Sequence, residues 1–434
     1  MDNTDVLIIG AGLAGLSTAY HLQRPYMVLE TENEPGGKAR TIRSGSSTYD
    51  FTGHLLHLRK PEIQSLVTSL LPDTFREVQR KAGIFMHDCF LDYPFQANFH
   101  PLPREIVKDC LLGFIRAWKN ATDRKDFPSF KSWALATFGQ GICDHFLFPY
   151  NEKLYRTAVE NMSADWVSWS VPQPNIEAVI DGALGSVQEG LGYNASFLYP
   201  KTGGIEVVPR ALARKVDPII WGHPVIEIEP LKKTVIANSG QVFRYNKLVT
   251  TMPLPELLAC ISCPDKSQLD EWKSGLRWVN VYNLNLTLDA PAPWDWQWLY
   301  LPQNEFNCYR IGVSSNISPV LAPKGCSTIY TEYSYLPDEK INQDEVNPLI
   351  HNDLRSIGLL HDGVKIIDET AIDLQHSYVV HDQFRMENLP SIMAWLKQHD
   401  IISTGRWGAW EYGGMEDALW QGYQAAQNLN EHKN

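Results

Sequence analysis

Three glycines near the start of the chain have the spacing of a phosphate-binding turn. Gly10, Gly12 and Gly15 follow the apolar run Val6–Ile9, which predicts a buried strand, and an amphipathic helix is predicted after them. Glycines at these positions make a tight turn, let a pyrophosphate approach the backbone and let the helix pack on the strand. Glu30 follows where a carboxylate accepts hydrogen bonds from a ribose hydroxyl. The pattern predicts a dinucleotide site, and the alternative is a glycine-rich turn without a ligand.

A second glycine-rich segment, Glu34–Thr41, indicates which dinucleotide binds. Gly36 and Gly37 permit close approach to a diphosphate, and the cations Lys38 and Arg40 oppose its charge. The segment resembles one that passes along the FAD diphosphate in flavoproteins with two dinucleotide-binding domains, the glutathione-reductase-like and amine-oxidase-like enzymes. Plain NAD-dependent Rossmann enzymes do not need it. FAD is therefore the expected cofactor, and NAD(P) is the alternative.

The composition is that of an ordinary folded protein and argues against several classes of partner. The chain has 434 residues, of which 44% are hydrophobic, enough for a large core and two domains. Because 38 Lys and Arg stand against 50 Asp and Glu, the net charge is −12, and bulk attraction to nucleic acid is not expected. No apolar run reaches the ~20 residues of a membrane-spanning helix. We expect a cytoplasmic protein with a small-molecule substrate, no nucleic-acid partner, no membrane span and an oligomeric state that the sequence leaves open.

Seven cysteines are scattered along the chain, and their odd number does not indicate a disulfide framework. Cys260 and Cys263 have C-x-x-C spacing, but no second pair or histidine partner follows at zinc-finger distance. We therefore expect reduced thiols and no metal site.

Hydrophobic periodicity predicts the order of the elements. Residues 60–190 are predicted to be mainly helical, and the later helices and strands follow from 3.6-residue and two-residue patterns. The predicted helices include Ile106–Trp118, Phe130–Phe138, Gly203–Val216 and Met415–Asn428, and the predicted strands lie within 224–230, 233–240, 247–253, 276–336 and 401–405. The fold class is therefore α/β: a Rossmann-like FAD domain of the glutathione-reductase type, interleaved with a substrate domain of helices and an antiparallel sheet.

The FAD domain is predicted to be discontinuous, because its first strand and its last helix lie at opposite ends of the chain. The predicted FAD-binding domain consists of residues 1–58, 200–258 and 398–434. Residues 59–199 are predicted as a mainly helical substrate or cap region. Residues 259–397 are predicted as an antiparallel-sheet substrate region.

Further motifs resemble UDP-galactopyranose mutases of the eukaryotic type, a family within the amine-oxidase/protoporphyrinogen-oxidase-like FAD flavoproteins. They follow the family's order along nearly the whole chain. The motifs are Asp50–His54, Tyr93–Asn98, Pro149–Lys153 followed by Met162, Trp298–Pro302, Tyr309–Arg310, Ser315–Pro319, His376–Tyr378 and Gly405–Tyr412 with Asp417. The resemblance implies substrate contacts from Tyr93, Gln96, Trp298, Tyr300, Arg310, Tyr378 and Tyr412, with the arginine and the later tyrosines on the diphosphate.

The same resemblance implies the residues that contact FAD. In it, His54 lies against the isoalloxazine and the backbone at Val225 holds the adenine end. Arg406 and the helix start near Asp417 lie at the flavin, where a helix N-terminus stabilises negative charge on the reduced ring. The implied contacts are Gly10, Gly12, Leu13, Ala14, Gly15, Glu30, Thr31, Gly36, Gly37, Lys38, Arg40, Gly53, His54, Val225, Gly405, Arg406, Met415, Glu416 and Asp417.

Apart from the resemblance, this set of residue types suits phosphate chemistry. Arg310 offers a fork of donors for phosphate oxygens, and Tyr300, Tyr378 and Tyr412 each carry one O–H donor. His54 can hydrogen-bond beside a flavin. These five are the candidate catalytic residues. The alternative reading of each is a half-buried strand tyrosine, a surface cation or a satisfied loop histidine.

One position departs from the mutase pattern. Ser170 stands where the mutases carry a second diphosphate arginine, a few residues after Met162, and Lys153 or Arg156 are candidates to replace it. Losing one of two charge-assisted contacts costs about 1.5–3 kcal/mol of binding, roughly ten- to a hundredfold. The substrate can therefore be a nucleotide sugar other than UDP-galactopyranose.

Three functions are compatible with these features. The first is an FAD-dependent sugar-nucleotide mutase, an intramolecular transferase in which N5 of the reduced flavin attacks the anomeric carbon of a nucleotide-diphosphate sugar, with NAD(P)H as the reductant. The second is an FAD-dependent oxidoreductase of the amine-oxidase, protoporphyrinogen-oxidase or desaturase type, which transfers hydride from its substrate. The third is an FAD- or nucleotide-sugar-binding protein without catalytic activity.

Overall fold

The computed structural model describes residues 2–121, 126–167, 171–186 and 195–431. The strands are β1 Asp2–Ile9, β2 Tyr26–Leu29, β3 Thr41–Ser44, β4 Ser47–Asp50, β5 Phe75–Gln79, β6 Ala82–Met86, β7 Cys89–Asp92, β8 Ser196–Pro200, β9 Ile219–Ile220, β10 Val225–Glu229, β11 Thr234–Ala237, β12 Val242–Thr250, β13 Trp278–Leu288, β14 Trp298–Tyr300, β15 Arg310–Val313, β16 Ser327–Tyr335, β17 Ile366–Val379 and β18 Ile401–Ser403. The α-helices are α1 Leu13–His21, α2 Pro61–Leu70, α3 Arg104–Lys119, α4 Phe130–Ile142, α5 Phe148–Tyr155, α6 Ile176–Leu184, α7 Val207–Ala213, α8 Leu254–Cys260, α9 Ser267–Gly275, α10 Ser314–Ile317, α11 Gln343–Ser356, α12 Gln383–Gln398, α13 Gly405–Gly408 and α14 Met415–Glu431.

The first sheet is built around the N-terminal strand. β1 pairs in parallel with β2 on one side and with β12 on the other, and β18 adds in parallel to the end of β12. Its strand order is β10-β11-β12-β1-β2-β9. β1 is buried over Val6–Ile9, because helices cover both faces of a parallel sheet. The turn after β1 thus lies at the carboxyl edge of the sheet, where ligands of open α/β folds bind.

The last helix packs against the first one. A Cβ at Gly422 in α14 would overlap the backbone of Ala14 in α1, so the two helices approach closely where the side chain is absent. Ser17 donates its hydroxyl to the Leu419 carbonyl at 2.6 Å. Sequence segments at both ends of the described chain therefore form one layer over the first sheet.

The second sheet has the order β17-β13-β16-β15-β14-β6-β7 and is antiparallel except between β14 and β6. β13 pairs with β16 and β17 over most of its 11 residues and is buried along nearly its whole length. The register places Arg310 of β15 directly opposite Glu332 of β16. This pairing matters below, because it brings two opposite charges together inside the sheet.

The helical region of α3, α4, α5 and α6 covers one end of the second sheet. α3 and α4 touch through glycines, since a Cβ at Gly139 would overlap the Gly113 backbone. The aromatic side chains between them form the largest core of the protein, which includes Phe114, Phe130 and Phe138. Within the described ranges, no helix is both long enough and apolar enough to cross a bilayer.

The predicted fold class is confirmed by this architecture. The helices predicted around Ile106–Trp118 and Phe130–Phe138 are α3 and α4, and the late strand and helix are β18 and α14. The prediction of mainly helical structure between 60 and 190 was wrong for 75–92, which forms β5, β6 and β7. β6 is apolar and buried throughout, so no alternation of apolar and polar residues marks it, and β7 has only four residues. β17 was also missed, because its polar residues hide the two-residue pattern.

Candidate active site

The turn after β1 depends on its glycines, because a Cβ at two of these positions would overlap neighbouring atoms. Gly10 has φ +102°, and a Cβ there would overlap the Thr251 hydroxyl. A Cβ at Gly15 would overlap the carbonyl oxygen of Gly10, so this glycine allows α1 to pack on β1. Gly12 is different: among the described atoms, a Cβ built there meets nothing closer than the Gly37 Cα at 3.9 Å. Two of the glycines serve packing, and the third faces open space.

The start of α1 offers backbone donors to that space. Its first turn contains no acidic residue, and no side chain of the described residues caps it. The free N–H groups and the helix dipole favour an anion there. Gly36 approaches from the second glycine segment and donates its N–H to the Ala11 carbonyl at 2.9 Å. This cradle of Gly12, Leu13, Ala14 and Gly36 fits a diphosphate.

Glu30 lies beside the same turn, at the end of β2. Its carboxylate is buried and accepts the N–H groups of Ala11 at 2.5 Å and Glu32 at 2.9 Å. Burial raises the pKa of this carboxyl, and the two N–H donors oppose that shift. The N–H of His223, two residues before the predicted contact Val225, donates to the carbonyl of Glu30, the residue before the predicted contact Thr31, at 2.8 Å.

The two cations of the second glycine segment have protein partners. Lys38 donates to the carbonyls of Gln375 and His376, and its ammonium lies 4.2 Å from the centroid of the Trp407 ring. Burial and the charge of Arg406 hold its pKa well below the ordinary range. Lys38 thus joins the first sheet's turn to the end of β17.

Arg40 packs on the opposite side of this segment. Its guanidinium is 3.6 Å from the carboxylates of Glu32 and Glu34 and 4.8 Å above the Phe51 ring. Its buried Nε has no hydrogen-bond partner within the described ranges. Arg40 therefore retains one buried donor near the predicted diphosphate site.

The loop after β4 brings His54 between the two sheets. Thr52 has φ +66°, a conformation that costs a β-branched residue steric energy. The next residue must be glycine, because a Cβ at Gly53 would lie 2.5 Å from the Tyr330 hydroxyl. The buried Nδ1 of His54 has no partner among the described residues. Burial and the charges of Arg406 and Arg310 lower the pKa of His54 to about 4, so the ring is neutral at neutral pH.

Six tyrosines form a continuous surface that we call the tyrosine wall. Ring centroids of successive members are 5.1 to 6.3 Å apart. In order of contact, the wall consists of Tyr93, Tyr300, Tyr150, Tyr309, Tyr378 and Tyr412. Four were predicted, whereas Tyr150 and Tyr309 were missed although both belong to motifs quoted for the family resemblance. Burial raises the pKa of Tyr378 to about 12, so its hydroxyl keeps its proton as a donor.

Arg310 lies against this wall in a two-pronged ion pair. Its Nε and Nη2 each lie 2.6 Å from an oxygen of Glu332, and Nη2 is also 3.5 Å from the Tyr378 hydroxyl. Glu332 is 1% exposed, so the pair is removed from water. The sequence reasoning missed Glu332, and the available signal was a lone acid within the apolar pattern of a predicted strand. The pair fixes the guanidinium and leaves Nη1 outside the fork.

Arg406 supplies a second guanidinium at the other end of the wall. It lies 5.1 Å from the Tyr378 ring and 4.7 Å from the Tyr412 ring, and donates to the carbonyls of Ser377 at 2.9 Å and Gly413 at 3.1 Å. Its Nε is buried without a partner in the part of the chain that is described. Gly405 precedes it with φ +80°, and a Cβ there would lie 2.8 Å from the Ala14 Cβ.

The three predicted contacts at the start of α14 all have partners within the protein. Glu416 accepts the N–H groups of Arg59 and Lys60, the latter at 2.7 Å, and so caps α2. Met415 is buried in the core under α1. Asp417 accepts the Gly414 N–H at 2.8 Å, which closes the helix start. For Glu416 and Asp417, the side chains bind the protein backbone.

Two other predicted substrate contacts are buried. Gln96 donates its amide to the Pro172 carbonyl at 3.1 Å, and its amide oxygen has no partner among the described residues. Trp298 precedes Tyr300 by two residues in β14, so both side chains lie on one face, and Trp298 is 4% exposed. Trp298 belongs to a buried cluster against which Tyr93 and Tyr300 of the wall pack.

The second-arginine position is not among the described residues, since Ser170 falls in 168–170. Its two candidate replacements are engaged elsewhere. Lys153 donates to the carbonyls of Leu301, at 2.8 Å, and Gln303. Arg156 is 3.0 Å from Glu339 at the surface. Within the described ranges, Arg310 and Arg406 are therefore the guanidinium groups that contact Tyr378.

The sequence from residue 13 to 430 matches the family of flavin-containing amine oxidoreductases. The chain belongs to this family. It is an enzyme of the FAD amine oxidoreductase superfamily, and its cofactor is FAD, as predicted. The cradle after β1, the buried Glu30 and the unpartnered nitrogens of Arg40, His54 and Arg406 fit such a cofactor.

The fold is also that of several solved structures. A reduced UDP-galactopyranose mutase superposes with a TM-score of 0.92 at 24% identity, covering 99% of this chain and 94% of that one. A protoporphyrinogen-oxidase-like protein from an Exiguobacterium species gives 0.77 at 14% identity, covering 100% and 99%. A putrescine oxidase variant gives 0.68 at 15% identity, covering 99% and 100%. These similarities establish the fold, which mutases and oxidases share.

Proposed function

We propose that this protein is an FAD-dependent sugar-nucleotide mutase, an intramolecular transferase that acts on a nucleotide-diphosphate sugar and resembles mutases of the eukaryotic type. The observation that carries the proposal is the tyrosine wall with Arg310 clamped against it by Glu332. Phenol hydroxyls and a rigid guanidinium suit the oxygens of a diphosphate. An oxidase that acts on an amine or a porphyrin has no diphosphate in its substrate, so it does not require these hydroxyls and this guanidinium.

The chain's residues divide the work of the proposed reaction. Gly12, the start of α1, Glu30 and Arg40 would hold FAD, with Gly53 and His54 at its ring. When bound and reduced, FAD supplies the nucleophile for the anomeric carbon, and NAD(P)H is the proposed reductant. Arg310 and Tyr378 bind the diphosphate leaving group and disperse its negative charge as the glycosidic bond lengthens.

His54 and Arg406 control protons and charge beside the reacting atoms. Because the pKa of His54 is about 4, its ring stays neutral and does not donate a proton to the nucleophile from an imidazolium. The fixed positive charge of Arg406 stabilises an anionic ring system at the same place. The rings of the tyrosine wall exclude water from one side of the sugar.

The first test is a titration of the anaerobic, dithionite-reduced holoenzyme with UDP and UDP-galactose, followed by flavin difference spectroscopy. We expect a saturable spectral shift with UDP, after which cyanoborohydride trapping would identify the sugar. Arg310→Ala is expected to weaken UDP binding about ten- to a hundredfold and to retain FAD. Arg310→Lys keeps a cation beside Glu332 and controls for misfolding, and Arg156→Ala is the surface control. Unchanged UDP affinity in Arg310→Ala would contradict the proposal.

The second candidate is an FAD-dependent oxidoreductase. The observation in its favour is the second-arginine position, where Ser170 gives no cation and neither Lys153 nor Arg156 turns toward the tyrosine wall. The fold that this chain shares with a solved putrescine oxidase is compatible with this function. Oxygen consumption with an amine or a porphyrinogen, together with no spectral response to uridine nucleotides, would select this function instead.

A further inference from the structure

The edge strand β17 contains a bulge directly before Tyr378 of the tyrosine wall. Leu374 pairs with Val281 of β13, and Tyr378 pairs with Val279. A step of four residues along β17 therefore spans a step of two residues along β13, and Gln375–Ser377 lie opposite a single residue. We call Gln375–Ser377 the β17 bulge. Bulges of this kind re-aim side chains and are frequent beside active sites.

The bulge determines where Tyr378 lies along the sheet. Without the two extra residues, the register of Leu374 and Val281 would continue and place Tyr378 opposite Arg277. The bulge moves Tyr378 two positions along β13, a distance of ~7 Å. At its observed place, the hydroxyl of Tyr378 is 3.5 Å from Nη2 of Arg310. A displacement of that size would break this contact, so the bulge keeps Tyr378 in the tyrosine wall.

The conformation of the bulge requires support from its surroundings. His376 has φ +52°, a left-handed conformation that a residue with a Cβ adopts at a steric cost. Its N–H donates to the side-chain oxygen of Asn280 at 2.9 Å, and its ring stacks on that of Trp278 with the centroids 4.6 Å apart. The hydroxyl of Ser377 donates to the Leu374 carbonyl at 2.8 Å. These contacts within the second sheet leave the three carbonyls of the bulge for other donors.

Two cationic side chains bind those three consecutive carbonyls. Lys38 donates to the carbonyls of Gln375 and His376, the latter at 2.9 Å. Arg406 donates to the carbonyl of Ser377 at 2.9 Å. Every carbonyl of the β17 bulge therefore accepts a hydrogen bond from a side chain outside the second sheet.

Both donors come from segments that border the cradle after β1. Lys38 follows Gly36 by two residues, and Gly36 is part of the cradle. Arg406 follows Gly405, where a Cβ would lie 2.8 Å from the Ala14 Cβ. The place of Tyr378 in the second sheet is thus fixed from the side of the molecule that fits the cofactor.

We propose that Lys38 is a positioning residue of the substrate site, which holds the β17 bulge so that Tyr378 meets the diphosphate of a nucleotide. The inference rests on the proposed function, because it takes that diphosphate as the ligand of Tyr378. Lys38 contacts neither the nucleotide nor the FAD diphosphate, since its donors are directed at the bulge, and it acts through Tyr378. Its position two residues after Gly36 makes the substrate site depend on the segment that borders the cofactor.

The first experiment measures UDP binding to the dithionite-reduced holoenzyme by flavin difference spectroscopy. We expect Lys38→Met to weaken UDP binding about tenfold, the effect of losing one hydrogen bond to a charged group. Lys38→Arg keeps the donors and should restore most of the affinity. Lys233→Met is the matched control, because Lys233 also donates to a backbone carbonyl, that of Asn246, and it should bind UDP as the unmodified protein does. Unfolding temperatures verify that the variants are folded.

A double-mutant cycle distinguishes positioning from direct contact. Tyr378→Phe removes the hydroxyl through which Lys38 is proposed to act. In that background, Lys38→Met should weaken UDP binding by less than about twofold, because the two changes remove the same interaction. Additive losses would show that Lys38 contacts the nucleotide itself and would overturn the proposal.

Two further measurements need no nucleotide. Isothermal titration of the apoprotein with FAD should show a similar affinity in Lys38→Met, and a loss as large as that for UDP would overturn the proposal by making Lys38 a cofactor ligand. Hydrogen exchange of the holoenzyme should be faster at residues 374–378 in Lys38→Met than in Lys233→Met, because the bulge loses two of its bonds. Equal exchange there would also overturn it.

The outcomes separate this inference from the proposed function. If the unmodified protein gives no spectral response to UDP, the proposed function fails and this inference fails with it. If the unmodified protein responds and Lys38→Met binds UDP equally well, only the inference about Lys38 is overturned.

Discussion

The turn after β1 and the tyrosine wall are both suited to a phosphate-containing ligand, but the turn offers mainly backbone groups and the wall offers side chains. The turn uses backbone: glycines that leave out a side chain, N–H groups at a helix start and a buried glutamate. The wall uses side chains that come from distant parts of the sequence and are fixed by one another, as Glu332 fixes Arg310. A backbone site is encoded locally, and a side-chain site depends on how the two sheets are placed.

The largest expected effect lies in the wall. Glu332→Gln keeps the shape but removes the charge that balances Arg310, and leaving one member of a buried ion pair unbalanced costs about 3 kcal/mol or more. We expect the free energy of unfolding, from urea denaturation of the holoenzyme, to fall by that amount. Glu339→Gln, which breaks the exposed pair with Arg156, is the matched control and should change it by less than about 1 kcal/mol. An equal loss of unfolding free energy in the two variants would show that the buried Arg310–Glu332 pair stabilises the protein no more than the exposed pair does.

In the turn, two neighbouring glycines should respond in different ways. Gly15→Ala forces a Cβ onto the Gly10 carbonyl and should destabilise the protein by about 1–3 kcal/mol. Gly12→Ala has room for its Cβ and an ordinary φ of −75°, so the apoprotein should keep its unfolding temperature while FAD affinity falls. Isothermal titration of the apoprotein with FAD, beside thermal unfolding, separates the two. If both variants lose stability equally, the turn near Gly12 serves packing and not a ligand.

The smallest effect is expected at the loop that joins the two regions. Thr52 is held at φ +66°, where glycine has no steric penalty, so Thr52→Gly should stabilise the protein by about 0.5–1 kcal/mol after the entropy cost of glycine. Thr48→Gly in β4 is the control and should destabilise it by a similar amount. Thermal unfolding measures both. A loss of stability in Thr52→Gly would mean that the threonine side chain makes contacts that outweigh its strain.

The same contrast explains how much was predictable from the sequence. The glycine turn, Glu30, α1 and the core helices are local patterns, and each was located within a few residues. The wall was only partly predictable. Four of its six tyrosines were recognised through family motifs, whereas the roles of Tyr150, Tyr309 and the ion-pair partner Glu332 emerge from strand register and helix packing. β6 and β7 were missed for the same reason, since their burial comes from neighbours far along the chain.

The direction of Lys38 illustrates the limit of motif reading. Its type and position predicted a cation for a diphosphate, yet its ammonium donates to the end of β17 and lies on the Trp407 ring. A motif fixes where the backbone runs, whereas a long flexible side chain goes to whichever acceptor the folded protein offers. Roles predicted for long side chains therefore need the tertiary structure more than roles predicted for glycines do.

The packing of α14 on α1 has a consequence for how the protein is made. Ser17 and Leu419, which share a hydrogen bond, are 402 residues apart. At a synthesis rate of ~5–20 residues per second, roughly 20–80 s pass between the emergence of the two helices from the ribosome. During that interval the side of α1 that packs on α14 is exposed. We therefore expect chaperones to bind there, and we expect stalled synthesis to leave an aggregation-prone apolar surface. The layer that covers the first sheet beside the glycine turn is therefore completed only after α14 has been synthesised.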